Sequence, residues 1–584
     1  MKNFFWLLRP YLKHGKIYIA VSLIFSCIIL PLDSLLQVYF PQIILQLLSD
    51  KANFMYIVLA AAGFELVLLL ITVCDDLYNN VFHELVSNKI SPKINLEIYE
   101  KSTKTKYSYI DDPDYYDNFS WTIKDYAGRS SEAVQFLFSF LTAIITISSM
   151  TAVLVSSSVW LIVIIIVGFV LKSIVVAKVN KLDIEKDEET VPTDRRLDYC
   201  HRIFYINSYA TELRTTKLKE IILKHYNTAV DSKIGLIKKY IKKTFYLLVL
   251  NDFFVRLSEF LIVVGIARSI YTGRIVDVGA YITLFMASEK LNQIFYSLFD
   301  LFRTWNRLSA YGGKIREFFK YEDEKSAGEG TSCNNEPYAI AFQNVSFHYP
   351  NAGFGLKDLN FSIDPGEKVA IVGENGAGKT TIVKLLLGLY DVSAGQILFN
   401  DKPMNKYNLN VLRNTIGVAF QDTNIYALTL DENLQLYGEN DEKATDLIEE
   451  KFGIKKILEK NNATSSDVMT REFDEKGIMV SGGEAQRIAV ARLAMKKFKL
   501  IILDEPSSAL DPIAEYELNK LLVDSIKDTT TIMIAHRLSS VRNMDKILVM
   551  ENGALKETGT HDELMRLGGL YYEMFTKQAE NYKL

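Results

Sequence analysis

Hydrophobic and polar positions divide this chain near residue 303. Before that point the sequence holds long apolar runs, and after it short apolar runs alternate with charged residues, as in a water-soluble enzyme. A helix needs about 20 mostly apolar residues to cross the hydrocarbon core of a bilayer, because its backbone polar groups must be paired internally there. The pattern predicts six such helices, at about residues 17–47, 54–77, 133–155, 159–177, 245–271 and 278–302.

The intervals between the predicted spans differ in character. Polar residues near Asp50, at 156–158 and at 272–277 predict short turns between pairs of spans. The intervals 79–132 and 178–243 keep helical periodicity without enrichment in Gly or Pro. We therefore expect the membrane helices to continue beyond the bilayer as stalks. The fifth and sixth spans are the least apolar.

Lysine and arginine predict the orientation of the chain in the membrane. Lys2, Arg9, Lys13 and Lys16 precede the first span and many basic residues fill the two long intervals, whereas the other three loops hold only Lys51 and Arg274. The positive-inside rule places both termini and the soluble part in the cytoplasm, in a multi-pass protein of the cell membrane. The first apolar run lacks a small-residue cleavage site, so it is interpreted as a retained anchor.

Length, charge and cysteine content narrow the class of protein. At 584 residues the chain is too long for one hydrophobic core. We expect a transmembrane domain at 1–321, a polar linker at 322–336 and a soluble domain at 337–584. A net charge of −4 gives no large basic surface, which argues against nucleic acid as a partner. The cysteines, which are Cys27, Cys74, Cys200 and Cys333, show no CxxC spacing, so neither a metal site nor a disulfide framework is indicated.

A phosphate-binding loop follows a predicted buried strand at 368–372. Its residues are Gly373, Glu374, Asn375, Gly376, Ala377, Gly378, Lys379 and Thr380, and the predicted nucleotide-binding set also includes Thr381, where a helical pattern begins. Glycines let backbone N–H groups wrap phosphates, the helix N-terminus adds positive charge, Lys379 reaches the terminal phosphates and Thr380 binds magnesium. A chance glycine-rich turn seldom falls between a strand and a helix. The expected ligands are ATP and Mg²⁺.

Two further motifs supply candidate catalytic and anion-binding residues in addition to the phosphate loop. A second apolar strand ends in Asp504 and Glu505, which are suited to holding the magnesium shell and to polarising the attacking water. Taken alone, an apolar strand that ends in Asp-Glu is more often structural than catalytic. Its combination with the phosphate loop favours the catalytic interpretation. Between the two motifs, a helix opens with Ser481, Gly482, Gly483 and Glu484, which offer a second anion-binding N-terminus.

Residues 337–584 resemble the nucleotide-binding domain of ATP-binding cassette (ABC) transporters, whose signature is the segment around Ser481. The resemblance implies adenine stacking for Tyr349, magnesium and water sensing for Gln421, γ-phosphate contact for His536 and a dimer-interface loop at 508–511. It also implies a metal set of Thr380, Gln421 and Asp504 and a catalytic set of Glu505, His536 and Gln421. A strand-end aromatic and a surface histidine are the plain alternatives for Tyr349 and His536. Glu484 stands where the signature usually has glutamine.

The membrane half is similar to the exporter type of this family. The resemblance implies a multi-domain membrane protein with an all-α six-helix transmembrane domain and an α/β P-loop NTPase domain that carries a helical subdomain. Tyr107–Asp117 looks like the first coupling segment, Asn207–Ile221 like the second, and Thr470–Gly477 like a loop that meets them. Without the resemblance, an acidic and aromatic solvated turn is the preferred interpretation of the first segment.

The resemblance implies an ATPase that drives export by alternating access. In this family the signature lies across a dimer interface from the phosphate loop, so a second half-transporter is required. A homodimer is the simplest partner because no nucleotide motif is degenerate, and a heterodimer stays open. The expected cargo is a peptide, such as an antimicrobial one, or a lipophilic small molecule. The alternatives are a lipid or multidrug exporter, and a membrane-anchored ATPase that acts as a regulator or importer on the same fold.

Charged residues within the predicted spans mark candidate cargo contacts or buried ion pairs. In the fifth span, Asp252, Arg256 and Glu259 are spaced to share one helical face. Because the three side chains can neutralise one another, an ion network is favoured over a cargo contact.

Overall fold

A computed structural model describes residues 2–155, 159–272, 278–324, 336–349, 354–421, 423–438, 442–504, 518, 521, 529–535 and 537–580. The chain forms two compact units. The first comprises Met1–Lys104 and Pro113–Tyr321, and the second comprises Thr105–Asp112 and Glu322–Leu584. A short segment from the N-terminal half of the sequence therefore belongs to the C-terminal unit.

The first unit consists of helices joined by short turns in the part that the structure describes. Its helices are α1 (Lys2–Leu7), α2 (Arg9–His14), α3 (Lys16–Ser49), α4 (Phe54–Lys104), α5 (Pro113–Val155), α6 (Val159–Tyr205), α7 (Ala210–Thr215), α8 (Leu218–Tyr271) and α9 (Val278–Lys320). Helices α3 and α4 each contain one π-helical segment, Phe25–Ile29 and Tyr78–Phe82, and the rings of Phe25 and Tyr78 stack at 4.4 Å between them.

Four described helices are long and apolar enough to span a membrane: Lys16–Ser49, Phe54–Lys104, Pro113–Val155 and Ile162–Tyr205. The segment Phe54–Leu77 buries no residue within the chain, although it is almost entirely apolar. Such a surface is unusual in water and suits contact with lipid. Helix α8 has 54 residues, which at about 1.5 Å per residue is far longer than the hydrocarbon core of about 30 Å.

Aromatic and apolar contacts hold the helices of this unit together. Phe4 of α1 packs on Phe136 of α5 and Trp305 of α9, with ring centroids 5.1 and 4.3 Å apart. Two ion pairs show that helices α6 and α8 run antiparallel. Glu189 pairs with Lys239 at 3.0 Å, and Asp194, further along α6, pairs with Lys233, which comes earlier on α8, at 2.6 Å.

The second unit contains two sheets. Its strands are β1 (Ile340–His348), β2 (Gly355–Ile363), β3 (Lys368–Gly373), β4 (Ala394–Phe399), β5 (Lys402–Pro403), β6 (Ile416–Ala419), β7 (Leu500–Asp504), β8 (Thr530–Ile534), β9 (Lys546–Glu551) and β10 (Ala554–Gly559). One sheet has the order β10-β9-β3-β8-β7-β6 and the other β2-β1-β4-β5. Strands β9, β3, β8, β7 and β6 run parallel to one another, and β10 pairs antiparallel with β9.

Helices cover the sheets and build a separate helical region of the second unit. They are α10 (Lys379–Leu386), α11 (Leu409–Arg413), α12 (Leu430–Leu434), α13 (Glu442–Lys451), α14 (Ile454–Lys460), α15 (Gly482–Ala494), α16 (His561–Leu567) and α17 (Leu570–Glu580). Arg492 of α15 is buried, and its guanidinium donates to the backbone oxygen and to Oδ1 of Asn433 in α12, both at 2.8 to 2.9 Å. This architecture confirms the predicted fold class.

Part of the predicted linker is structured. Lys106 donates to the Glu322 carboxylate at 2.6 Å, Asp323 forms a backbone bridge with Thr105, and the carboxylate of Glu324 accepts from Arg413 at 2.6 Å. Residues 325–335 of the predicted linker lie outside the described residues.

Candidate nucleotide-binding site

The glycine loop leaves the buried strand β3 in a conformation that depends on its glycines. Gly373 and Gly378 have φ angles of 155° and 103°. A Cβ atom on Gly373 would lie 2.3 Å from the backbone oxygen of Met550, and one on Gly378 would lie 2.5 Å from Leu356. At Gly376 (φ 80°) nothing lies within 4 Å of an added Cβ. The loop is therefore packed on its inner side and open on its outer side, as a phosphate cradle must be.

Lys379, the first residue of α10, places its ammonium inside the loop. The side chain is only 6% exposed. Its Nζ donates to the backbone oxygens of Gly373 at 2.8 Å and Glu374 at 3.0 Å. A positive charge held among neutral carbonyl groups at a helix N-terminus attracts phosphate.

A cavity of about 490 Å³ opens beside this ammonium. It is lined by Phe354, Asn375, Gly376, Gly378, Lys379, Thr380, Thr381 and Gln421. Seven of these eight residues belong to the site predicted from the sequence. The other predicted loop residues, Gly373, Glu374 and Ala377, shape the loop without lining the cavity, and Ala377 N–H donates to the Glu374 oxygen at 3.1 Å.

The candidate magnesium ligands come from neighbouring strand ends. Strands β6 and β7 are parallel, with Ala419 opposite Leu503. Gln421 and Asp504 therefore reach the same edge of the sheet, where Thr380 lies at the start of α10. A hydroxyl, an amide oxygen and a carboxylate oxygen are donors that Mg²⁺ accepts, so these residues fit the ion. Glu505, His536 and the loop 508–511 lie outside the described residues.

Tyr349 lies next to the phosphate loop. Its hydroxyl is 3.2 Å from Oγ1 of Thr381, and its ring packs edge-on against Phe347 and Tyr390 at centroid distances of 4.8 and 5.3 Å. The tyrosine is half-buried among aromatic rings. Adenine stacking by Tyr349 stays a prediction.

Phe354 is a cavity residue that sequence reasoning missed. It precedes β2, and its ring tip would lie 3.5 Å from a Cβ placed on Gly378. An isolated aromatic in a glycine-containing loop was the available signal, but only the pairing of β1 with β2 brings it to the phosphate loop.

We expect Phe354→Ala to weaken ATP binding about fivefold, because a lost aromatic contact to a base costs on the order of 1 kcal/mol or more. Binding of inorganic tripolyphosphate, which has no base, should not change. Competition against a fluorescent ATP analogue measures both affinities, and Phe354→Leu controls for lost apolar volume. Equal weakening for both ligands would show that Phe354 supports the loop and does not contact the base.

The signature segment forms the N-terminus of α15. Ser481 is its N-cap: Ser481 Oγ accepts from the Glu484 N–H at 3.3 Å, and the Glu484 carboxylate accepts from the Ser481 N–H at 2.8 Å. Lys460 of α14 donates to the same carboxylate at 2.9 Å. Glutamate in place of the usual glutamine thus closes a capping box and binds a neighbouring helix.

The electrostatics of Glu484 follow from these contacts. Burial alone would raise the pKa of Glu484, but the hydrogen bonds from Ser481 and Lys460 outweigh burial and lower the pKa. The carboxylate is therefore ionised at neutral pH, and its stabilising effect is lost only as the pH falls through that lowered pKa. Ser481, Gly482, Gly483 and Glu484 are absent from the lining of the phosphate cavity, and their nucleotide-binding role stays a prediction.

The segment Thr105–Asp112 packs beside the phosphate-loop helix. The ring of Tyr107 contacts Tyr390 edge-on at 5.6 Å, and the Tyr390 hydroxyl donates to the Asp111 carboxylate. The Lys384 ammonium of α10 lies 5.6 to 5.9 Å from the rings of Tyr107, Tyr349 and Tyr390. Burial and the bond to Asp111 raise the pKa of Tyr390, so its hydroxyl remains a donor at neutral pH.

These contacts form a continuous path. It runs from Asp111 through Tyr390 and Tyr349 to Thr381 of α10, the helix that follows the phosphate loop. The second predicted coupling segment forms a short 3-10 turn (Asn207–Tyr209) and α7 in the first unit. Tyr205, just before that turn, is 89% exposed.

Comparison with known proteins agrees with this geometry. Residues 356–508 match the family model described as ABC transporter. The chain is 30% identical over 520 residues to the subtilin transport ATP-binding protein SpaT of Bacillus subtilis. The aligned region covers 88% of this chain and 83% of SpaT. It is 27% identical over 506 residues to the nisin transport ATP-binding protein NisT of Lactococcus lactis, covering 85% of this chain and 83% of that protein.

A solved structure of a bacterial Atm1-family ABC exporter with ATP bound shares the fold. The TM-score is 0.77 at 22% identity, over 96% of this chain and 98% of that one. The length of the match to SpaT, together with the match of the nucleotide domain, settles the family. The chain belongs to the ABC transporter family, as an exporter-type half-transporter that couples ATP hydrolysis to transport.

Proposed function

We propose that two copies of this chain form an exporter that moves a peptide out across the cytoplasmic membrane. The observation that carries the proposal is a cavity of about 1960 Å³ within the first unit. Pockets for drug-sized ligands are about 300–1,000 Å³, so this cavity suits a larger cargo. The two relatives named for transport of subtilin and nisin support a peptide.

The cavity wall suits an amphipathic chain. One part is aromatic and includes Phe136, Phe140, Phe169 and Trp305. Another part carries charges of both signs, among them Asp187, Asp194, Arg195 and Lys314. Aromatic faces bind apolar side chains and the charged groups bind polar ones, whereas a purely apolar lipid needs only the first.

A second half-transporter is part of the proposal because the phosphate cavity of one chain lacks the signature segment. The eight residues that line the cavity come from the phosphate loop, α10, Phe354 and Gln421. The open side of Gly376 leaves space for the signature of another protomer. A homodimer is the simplest arrangement, with the termini and nucleotide domains in the cytoplasm as the basic residues predict.

The proposed mechanism assigns each step to residues of this chain. The glycine loop and Lys379 bind the phosphates, and Phe354 and Tyr349 position the base. Thr380, Gln421 and Asp504 would hold Mg²⁺, which when bound neutralises phosphate charge. Glu505 accepts a proton from the attacking water, and His536 contacts the terminal phosphate. Binding of ATP favours the closed dimer, and hydrolysis removes that preference.

The path from Asp111 to Thr381 is proposed to carry nucleotide state to the membrane helices. We expect Tyr390→Phe, which deletes only the hydroxyl bonded to Asp111, to reduce cargo-stimulated ATP hydrolysis about tenfold, the effect expected of a hydrogen bond to a charged group. Basal hydrolysis should change by no more than about twofold. Both rates are measured as phosphate release from purified protein in lipid nanodiscs.

Tyr407→Phe is the matched control for this prediction. The Tyr407 hydroxyl donates to the backbone oxygen of Phe399 at 2.7 Å, within the nucleotide domain. Equal loss of stimulation in both variants would contradict a specific role for the contact with Asp111.

ATP-driven uptake into inside-out vesicles tests the proposed function. Vesicles that contain the wild-type chain should accumulate a labelled antimicrobial peptide such as nisin, and vesicles with Glu505→Gln should not. Uptake of a lipophilic dye without peptide uptake would favour a lipid or multidrug exporter. Intact ATP hydrolysis without uptake of either cargo would favour a regulator or importer and overturn the proposal.

A further inference from the structure

A group of buried polar side chains lies within the helices of the first unit. Lys172 of α6 is 3% exposed, Ser258 of α8 is 3% exposed, and Asn292 of α9 is 7% exposed. Asn251 of α8 is also buried, at 8%. All four fall inside the spans predicted from the sequence. Polar and charged groups are costly at this depth and are kept there for pairing or for binding.

Three helices converge on this group. Lys172 Nζ donates to Oδ1 of Asn292 at 3.4 Å. One turn before Lys172, a Cβ on Gly168 would lie 2.8 Å from Ser258 Oγ, so α6 and α8 are in close contact there. Because α6 and α8 run antiparallel, Lys172 lies between the levels of Ser258 and Asn251.

Several polar atoms of the group have unused hydrogen-bonding capacity. Among the described residues, Ser258 Oγ, Asn292 Nδ2 and Asn251 Oδ1 have no hydrogen-bond partner. Two of these atoms, the hydroxyl and the amide nitrogen, are donors that accompany a buried ammonium. Buried donors without partners are expensive, which points to a ligand that accepts hydrogen bonds.

The acidic residue near this group is already paired. Glu259 acts electrostatically on Lys172, but its carboxylate accepts from Arg256 at 2.9 Å. Of the ion network predicted for Asp252, Arg256 and Glu259, the structure shows the ion pair between Arg256 and Glu259. The Arg256 side chain is 82% exposed. The buried cation, Lys172, was missed, although a single lysine after an apolar run from 133 to 171 was the signal for it.

The group borders the large cavity. Ser173, next to Lys172, and Phe169, three residues earlier, both line it. The ring of Phe169 packs against that of Phe295 with the centroids 4.4 Å apart, and Phe295 follows Asn292 by three residues on α9. This pair of rings lies beside the Lys172–Asn292 contact along the same two helices, so separating the rings would open a way from the cavity to the buried ammonium.

We propose that Lys172, Ser258 and Asn292 form a site for a carboxylate of the cargo, such as the C-terminal carboxylate of a peptide. The ammonium supplies the charge, and the hydroxyl and the amide supply two hydrogen bonds. Asn251 Oδ1 is an acceptor that suits a backbone N–H of the same peptide. This inference rests on the proposed export of a peptide.

The test compares two probes that differ only at the carboxylate. They are a hydrophobic decapeptide with an N-terminal dansyl group and a free C-terminus, and the same peptide as its C-terminal amide. Fluorescence titration of full-length protein in lipid nanodiscs gives both affinities. The wild type is expected to bind the free acid about tenfold more tightly, and Lys172→Gln should bind the two peptides equally.

Lys178→Gln is the matched control, because Lys178 is an exposed lysine on the same helix. It should keep the preference for the free acid. An unchanged preference in Lys172→Gln, an equal loss in Lys178→Gln, or failure of both peptides to bind the wild type would each overturn the carboxylate site.

A purely structural role for Lys172 makes a different prediction. If Lys172 only neutralises Glu259, Lys172→Gln will lower the unfolding temperature, Glu259→Gln in the same chain will restore it, and the peptide preference will persist, which overturns the proposal. Vesicle uptake of the same free-acid peptide tests export separately. Peptide preference without ATP-driven uptake would refute export while supporting the site.

Discussion

Lys379→Met is expected to reduce ATP hydrolysis about 10²- to 10³-fold, the usual effect of removing one preorganised donor from a charged site. Methionine keeps the length and the apolar stem of the side chain but removes the ammonium that lies between the Gly373 and Glu374 carbonyls. ATP affinity should fall as well, because Lys379 is the only positively charged side chain among the residues that line the described cavity. Phosphate release and equilibrium binding of a fluorescent ATP analogue measure the two effects.

Lys357→Met is the control for lost charge, because Lys357 is an exposed lysine on β2, next to Leu356, which packs against the loop. It should hydrolyse ATP at the wild-type rate. Removing Lys379 also leaves two carbonyl groups without this donor, so thermal unfolding is recorded for each variant. A folded Lys379→Met protein that keeps more than about a tenth of wild-type hydrolysis would contradict the assignment.

Glu505→Gln is expected to lower hydrolysis about 10²- to 10⁴-fold while ATP binding is retained. Glutamine has nearly the same shape but cannot accept a proton from water at neutral pH. Glu505 directly follows Asp504, the buried end of β7, at the sheet edge that Gln421 also reaches. Hydrolysis is measured as phosphate release, and nucleotide retention is measured after rapid gel filtration.

Glu551→Gln supplies the matched control for this second variant. Glu551 ends β9 in the same sheet, contacts Lys556 at 3.6 Å and does not line the phosphate cavity. Undiminished hydrolysis in Glu505→Gln would remove Glu505 from its assigned role. The two variants also separate binding from chemistry, because Lys379→Met should lose both and Glu505→Gln only the second.

The sequence predicted the phosphate loop residue by residue. Its geometry depends on neighbours along the chain: glycines with positive φ, a buried strand before them and a helix after them. Local backbone preferences settle such a motif, so Gly376, Lys379 and Thr380 could be placed without knowledge of the rest of the fold. Long apolar runs predicted six membrane helices for a similar reason, because a bilayer requires about 20 apolar residues per span. Four described helices meet that requirement, and the fifth and sixth spans, at 245–271 and 278–302, stay predictions.

Residues that meet only through folding could not be placed in this way. Phe354 reaches the cavity because β1 and β2 pair. Asp111 and Tyr390 are 279 positions apart and form a hydrogen bond. Nothing in either local sequence specifies the other partner, and the energy of such a contact comes from packing over the whole unit.

Lys172, the buried cation of the membrane half, shows the same limit of prediction from local sequence. Periodicity predicted the long apolar helices, and the phosphate-loop motif together with the resemblance to ABC transporters predicted the nucleotide-binding domain, because each of these signals is local in the sequence. Only the tertiary structure decided that Lys172 points at Asn292 and not at lipid, that Glu259 pairs with Arg256, and that Ser258 keeps an unused hydroxyl. The physical reason is that a helix sequence defines its faces, whereas the neighbouring helices decide what each face contacts.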